Sequence, residues 1–93
     1  MSDEELDALQ QRHLAFNARM REEGHALITG PLSGQSDESL RGISVYRSSV
    51  EETRRLAEQD PSVQAGRLVL EIFSWLMPAG TLGERPARTI EAP

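Results

Sequence analysis

The segment RLVLEIFSWL, Arg67 to Leu76, constrains the fold more than any other stretch of this chain. Read as a strand, it puts Leu68, Leu70, Ile72 and Leu76 on one side and Val69, Phe73 and Trp75 on the other. A strand that is apolar on both faces needs two covers. Helices of the same chain can supply one, and a second subunit is the simplest source of the other. Size points the same way. The chain has 93 residues, 38% of them hydrophobic and 4% aromatic. A single domain of that length buries only a modest core, so a partner covering an apolar face would help it fold.

The elements that precede this strand announce themselves by their ends. SDEELDALQQRHLAFNARMREEG opens with Ser2 and has Glu5 three residues later, a capping box. Acids crowd its first turn and arginines lie towards its end, as the helix dipole favours, and Gly24 is a natural stop. Leu6, Leu9, His13, Phe16 and Met20 recur at helical spacing and form one face, on which His13 is the polar member. HALIT, His25 to Thr29, reads as a short strand ended by Gly30-Pro31. LSGQSDESLR is a polar loop. GISVYR, Gly42 to Arg47, alternates Ile43 and Val45 with Ser44 and Tyr46 and reads as a second strand. Ser48 or Ser49 can cap a helix from Val50 to about Asp60, with Leu56 and Ala57 inward and Glu51, Glu52, Arg54 and Arg55 outward. Pro61 disfavours helical backbone at Asp60 but suits the first position of a new turn. Asp60 then caps that turn, and Gly66 swings the chain into the last strand. From Pro78 the chain is rich in Gly, Pro, Ala and Arg. We read one domain over residues 1–78 and a loose tail over residues 79–93. The order helix, strand, strand, helix, strand gives an α+β sandwich with two helices on one face of a sheet.

Composition excludes several functions. The formal net charge is −5, and no basic cluster opposes it, so we expect no nucleic-acid partner. All 10 basic residues are arginine, which rules out a Schiff-base lysine. The absence of cysteine removes thiol nucleophiles, disulfides and thiolate metal sites and fits a cytoplasmic protein. No apolar run approaches the ~20 residues that span a bilayer, and the acidic N-terminus is unlike a secretory signal. Two histidines without a close carboxylate pattern make no metal motif. There is no phosphate loop, dinucleotide fingerprint or nucleophile elbow. We expect no cofactor, no metal and no membrane partner.

RHL in the first helix, GPL after the next strand, then RGISVYR and AEQDPSVQAGRLVLEIFSW resemble the YciI-like (YCII-related) family, over about Leu9 to Pro78. Asp-Pro-x-Val-x-Ala-Gly is the most specific piece. The resemblance implies a ferredoxin-like βαββαβ fold with an antiparallel or mixed sheet, paired into a homodimeric α+β barrel. It also implies a cleft where the histidine of the first helix, His13, meets the aspartate of the Asp-Pro pair, Asp60. The few characterised members act on small ring compounds, including dehydrochlorination of a chlorinated hydroxyhydroquinone, and the wider superfamily includes muconolactone isomerases. This sequence departs from the family by starting at the first helix, so its order is αββαβ, with the family's first strand missing. That strand is central in the family sheet. Three arrangements would accommodate the change: a natural start upstream of Met1, direct parallel pairing of the last strand with Gly42–Arg47, or occupation of the slot by ARTIE, Ala87 to Glu91.

Two readings of function stand side by side. In the first, His13 moves a proton and Asp60 orients the imidazole. Histidine exchanges protons near neutral pH, and a carboxylate partner would make the pair a general base and then a general acid. The substrate class would be a small aromatic or enolic metabolite, and the reaction a cofactor-free lyase or isomerase step. Gly30 and Pro31 would shape the cleft wall, and Trp75 would stack on the ligand. In the second, the protein is a non-catalytic ligand-binding or assembly module. His13 is then a buried histidine satisfied by a neighbour, Asp60 a helix cap, Gly30-Pro31 a turn, and Trp75 a core or interface residue. Arg12 beside His13 could hold an anionic substrate group, but it points roughly 100° away on the helix, which favours a surface role.

Overall fold

The computed structural model of this protein describes residues 1–81. Helix α1 spans Asp3–Glu22 and begins at the expected capping box, with the Ser2 hydroxyl accepting from the Glu5 N–H and the Glu5 carboxylate accepting from the Ser2 N–H. Asp3, Glu4 and Glu5 occupy its positive end, while Arg19 and Arg21 occupy its negative end. It stops at Gly24, where φ is +83°. There the His25 N–H reaches the Met20 carbonyl and the Gly24 N–H reaches that of Arg21. This double bond pattern is the helix-ending motif that favours glycine, because only a residue without Cβ adopts the left-handed backbone at no steric cost.

The inward stripe of α1 builds the core. Leu9, Phe16 and Met20 are buried, and Phe16 and Met20 cluster with Ala26 and Leu56, against which Tyr46 packs. Strand β1 spans Ala26–Pro31 and β2 spans Gly42–Tyr46, paired antiparallel. Pairing steps from Ala26↔Tyr46 to Ile28↔Val45, so Leu27 is an extra residue, a bulge. The bulge explains why Ala26 is buried and Ile28, two residues on, is exposed. Gly30-Pro31 does not end the strand as the sequence suggested. Both residues belong to β1 and pair with Ile43 and Gly42. Proline is acceptable there because it lies at the strand's last position, on a strand that has one neighbour among the described residues.

Helix α2, Val50–Ala57, is capped by Ser49 rather than Ser48, and the Ser48 hydroxyl bonds that of Thr53 instead. Leu56 and Ala57 are buried. Glu52 and Arg55 pair on the outer face. The chain then bends, and α3, Pro61–Gln64, starts with Pro61 at its first turn and Asp60 as its cap. It ends at Gly66, φ +76°, with the same double bond pattern as α1, from the Arg67 and Gly66 N–H groups to the Ser62 and Val63 carbonyls. Helix α1 packs against both β1 and α3.

The architecture is a small α+β fold compatible with a ferredoxin-like αββα arrangement, and it differs from the expected αββαβ in its last element. Arg67 to Leu76 forms no strand, and among the described residues the sheet contains β1 and β2 alone. Leu68, Leu70 and Ile72 are half-buried, whereas Val69, Phe73, Trp75 and Leu76 are exposed, at 91%, 79%, 71% and 90%. The period-two alternation is therefore realised over Leu68–Phe73, but no ladder accompanies it. Direct pairing with β2 does not form. The physical reason is that a strand exists only through its neighbour's backbone groups, and the described residues place none beside this segment. Residues 82–93, including ARTIE and most of the expected tail, lie outside the described residues.

Close approach of the two strands fixes one position tightly. A Cβ added at Gly42 would lie 2.7 Å from the Gly30 carbonyl oxygen, while one added at Gly30 would meet nothing within 4 Å. Gly42→Ala should therefore lower stability by about 1–3 kcal/mol in urea unfolding. Gly30→Ala should leave it within about 0.5 kcal/mol.

Candidate active site

The bend after α2 and the inward face of α1 meet at one hydrogen bond. His13 Nδ1 lies 2.7 Å from Asp60 Oδ2. Helical periodicity brings His13 there, between Leu9 and Phe16 on the buried stripe. Pro61 brings Asp60, because the residue before proline takes extended backbone (φ −62°, ψ 125°) and turns its side chain back over α3. The other carboxylate oxygen, Oδ1, accepts the Ser62 N–H at 2.9 Å. Both oxygens are thus engaged in a residue only 6% exposed. One caps α3 and the other holds α1.

The imidazole is held from both sides. Asn17, four residues after His13 and so above it on the same helix face, places its amide nitrogen 3.4 Å from His13 Nε2. An amide N–H facing Nε2 makes that nitrogen the acceptor, which leaves the ring proton on Nδ1, donated to Asp60. The His13 side chain keeps 19% of its surface exposed and that of Asp60 8%. One ring nitrogen is thus held by a buried carboxylate, and the other has only a long, weak contact to Asn17. A base so arranged can take a proton at Nε2 while the carboxylate stabilises the imidazolium that results. Asn17 was not singled out in the sequence, although its i, i+4 spacing from His13 is the signal that would have found it.

The cleft is broad. His13 and Asn17 of α1, Tyr46 of β2, Asp60, and residues of the Arg67–Met77 segment all line it. Gly30, Pro31 and Trp75 line it too, but none of the three hydrogen-bonds to the His13–Asp60 pair. Trp75 is exposed and is not part of a packed core in this chain. Arg12 is exposed on α1, as its angular offset from His13 requires. His25 lies 3.4 Å from Glu23 at the surface, away from the pair. Among the described residues no group of three or more His, Cys, Asp or Glu is placed to hold a metal ion, and no helix is long and apolar enough to cross a membrane.

Tyr46 is the second residue that the sequence did not mark. Burial, and then the negative charge of Asp60, push its phenol above the ordinary tyrosine range, because both disfavour the phenolate.

These features define a small α+β domain with a histidine–aspartate pair set between its first helix and the bend that follows its second. Residues 1–76 match the model of the YCII-related domain, and the chain belongs to that family. No curated protein and no solved structure matches it.

The chain has a single tyrosine, so a spectrophotometric pH titration reads Tyr46 alone. Its half-ionisation should fall above the ordinary value of about 10. In Asp60→Asn it should move down yet stay above that value, since burial remains. The corresponding stability contribution is fully present below the unfolded tyrosine's pKa and is lost as pH rises through the folded one.

Proposed function

We propose that this protein catalyses a cofactor-free lyase or isomerase step on a small aromatic or enolic metabolite, with His13 as the base that becomes the acid and Asp60 as its orienting partner. The observation that carries the reading is the 2.7 Å bond from Nδ1 to a buried carboxylate, which leaves Nε2 as the ring nitrogen available to a ligand. In the proposed cycle a C–H bond of the substrate breaks and its proton goes to Nε2. The electron pair is taken up by the conjugated carbonyl, and the imidazolium returns the proton to another carbon or assists departure of a leaving group such as chloride. Asp60 holds the ring in one orientation through the bond to Nδ1. Membership of the YCII-related family supports the reading. Dehydrochlorination and muconolactone-type isomerisation are the reaction types we favour, and the absence of cysteine supports a cytoplasmic setting.

The test is exchange of the acidic C–H proton of cyclic enones and butenolides into deuterated water, followed by NMR. His13→Ala should slow exchange by roughly 10²–10⁴-fold relative to wild type. Equal rates in the two proteins would end the proposal.

A second reading, an assembly module, is favoured by a different observation. Val69 to Met77 makes no backbone–backbone hydrogen bond among the described residues, and β2 has one edge free. The two line the same cleft. Exposed backbone of this kind accepts a strand from another chain, and in this reading the partner is a second copy, in a homodimer. Trp75 is the chain's one tryptophan and reports on it. Its emission should be blue-shifted at high protein concentration and shift to the red on dilution. Solvent-exposed emission and a monomer mass at every concentration would rule the homodimer out.

A further inference from the structure

Removing a proton from carbon puts negative charge on a substrate oxygen, and a site that does so needs a hydrogen-bond donor for that oxygen. Several polar groups of the cleft are already committed. Asp60 holds His13 and Ser62, Asn17 faces Nε2, Arg21 bonds Thr29, and Ser48 bonds Thr53. Tyr46 differs. Its ring is anchored against the cluster of Phe16, Met20, Ala26 and Leu56, yet its hydroxyl has no hydrogen-bond partner among the described residues. It lines the cleft with His13, Asn17 and Asp60. A half-buried hydroxyl that bonds no other described residue is free to donate to a ligand.

We propose that Tyr46 is the donor to the ligand's oxygen: its O–H binds the carbonyl or phenolic oxygen of the substrate and stabilises the enolate formed when His13 Nε2 takes the proton. The proposal rests on the His13–Asp60 reading and narrows its substrate class to compounds whose acidic C–H is conjugated with an oxygen that can carry the charge. The position suits the task. The ring's packing fixes the hydroxyl in advance, and the negative charge of Asp60 together with burial keeps the phenol protonated, and so able to donate, across the neutral range. A neutral donor also does not compete with the imidazolium for Asp60.

The single tyrosine permits a direct test. Full-length protein in which tyrosine is replaced biosynthetically by fluorotyrosine is titrated with ionised para-nitrophenol, a planar oxyanion, and separately with nitrobenzene, which lacks the oxygen. The fluorine NMR signal should shift with para-nitrophenol and not with nitrobenzene. Tyr46→Phe should weaken para-nitrophenol binding about tenfold, the order expected for a hydrogen bond to a charged oxygen, and should leave nitrobenzene binding unchanged. An unmoved fluorine signal, undiminished para-nitrophenol binding by Tyr46→Phe, or equal losses for the two probes would each overturn the assignment. If His13→Ala still abolishes C–H exchange when the tyrosine result is negative, only Tyr46 is removed from the site. If exchange is insensitive to His13, the reading beneath it fails as well.

Discussion

The carboxylate of Asp60 is the point on which the rest of the structure turns. A buried carboxylate would be costly alone, because a polar group withdrawn from water must be given hydrogen bonds of comparable quality. It has them on both oxygens, from the Ser62 N–H at 2.9 Å and from His13 Nδ1 at 2.7 Å. The first fixes where α3 starts. The second ties that start to the middle of α1, forty-seven residues earlier in the chain. One side chain thereby sets the angle at which the bend after α2 meets the first helix. The packing of α1 on α3 and the placement of Leu56 beside Phe16 and Met20 follow from the same junction. A residue that looks like an ordinary cap is also the only described ion-pair partner of His13.

The fold was legible wherever its causes are local. Ser2 with Glu5, Gly24, the Asp60-Pro61 junction and Gly66 each specify a backbone turn from a few neighbouring residues, and each stands where the sequence put it. The stripe of Leu9, Phe16 and Met20 was equally clear, because a helix's buried face repeats with its own period. What the sequence concealed depends on pairing. The extra residue Leu27 is invisible until β2 lies alongside β1. Pro31 read as a strand end, since only the register reveals that it still has Gly42 opposite. Arg67 to Leu76 has every side-chain property of a strand, but side-chain alternation is a property of one segment and a ladder is a property of two. Of the site, His13 and Asp60 were legible as residues. Asn17 followed from arithmetic that was not applied, and Tyr46 depends on the fold of β2 over α1, for which no short pattern exists.

The segment after Gly66 carries the consequence of that distinction. Its Leu68, Leu70 and Ile72 turn towards the domain and are half-buried, while Val69, Phe73 and Trp75 face outward. Contiguous exposed apolar surface of this kind marks an interaction site more often than chance placement does. The segment and β2 border the cleft that His13 and Asp60 also line. A partner covering the outward face would sit on a segment that also borders the concavity beside the imidazole, so assembly and chemistry bear on neighbouring surfaces.

That proximity bears on how the proposed chemistry would work. An open cleft leaves a base partly in contact with water, which solvates a developing enolate and weakens the contribution of any positioned donor. Excluding water strengthens every electrostatic interaction inside the site, including those of His13 with Asp60 and of a ligand oxygen with Tyr46. In the proposed enzyme, a second copy laid along Val69 to Met77 would do two things at once: satisfy exposed backbone and raise the catalytic value of three side chains it never touches. The assembly reading and the enzyme reading then cease to be rivals. In that proposal strand addition would strengthen the histidine–aspartate pair, and proton exchange would then rise with protein concentration in the range in which Trp75 becomes covered.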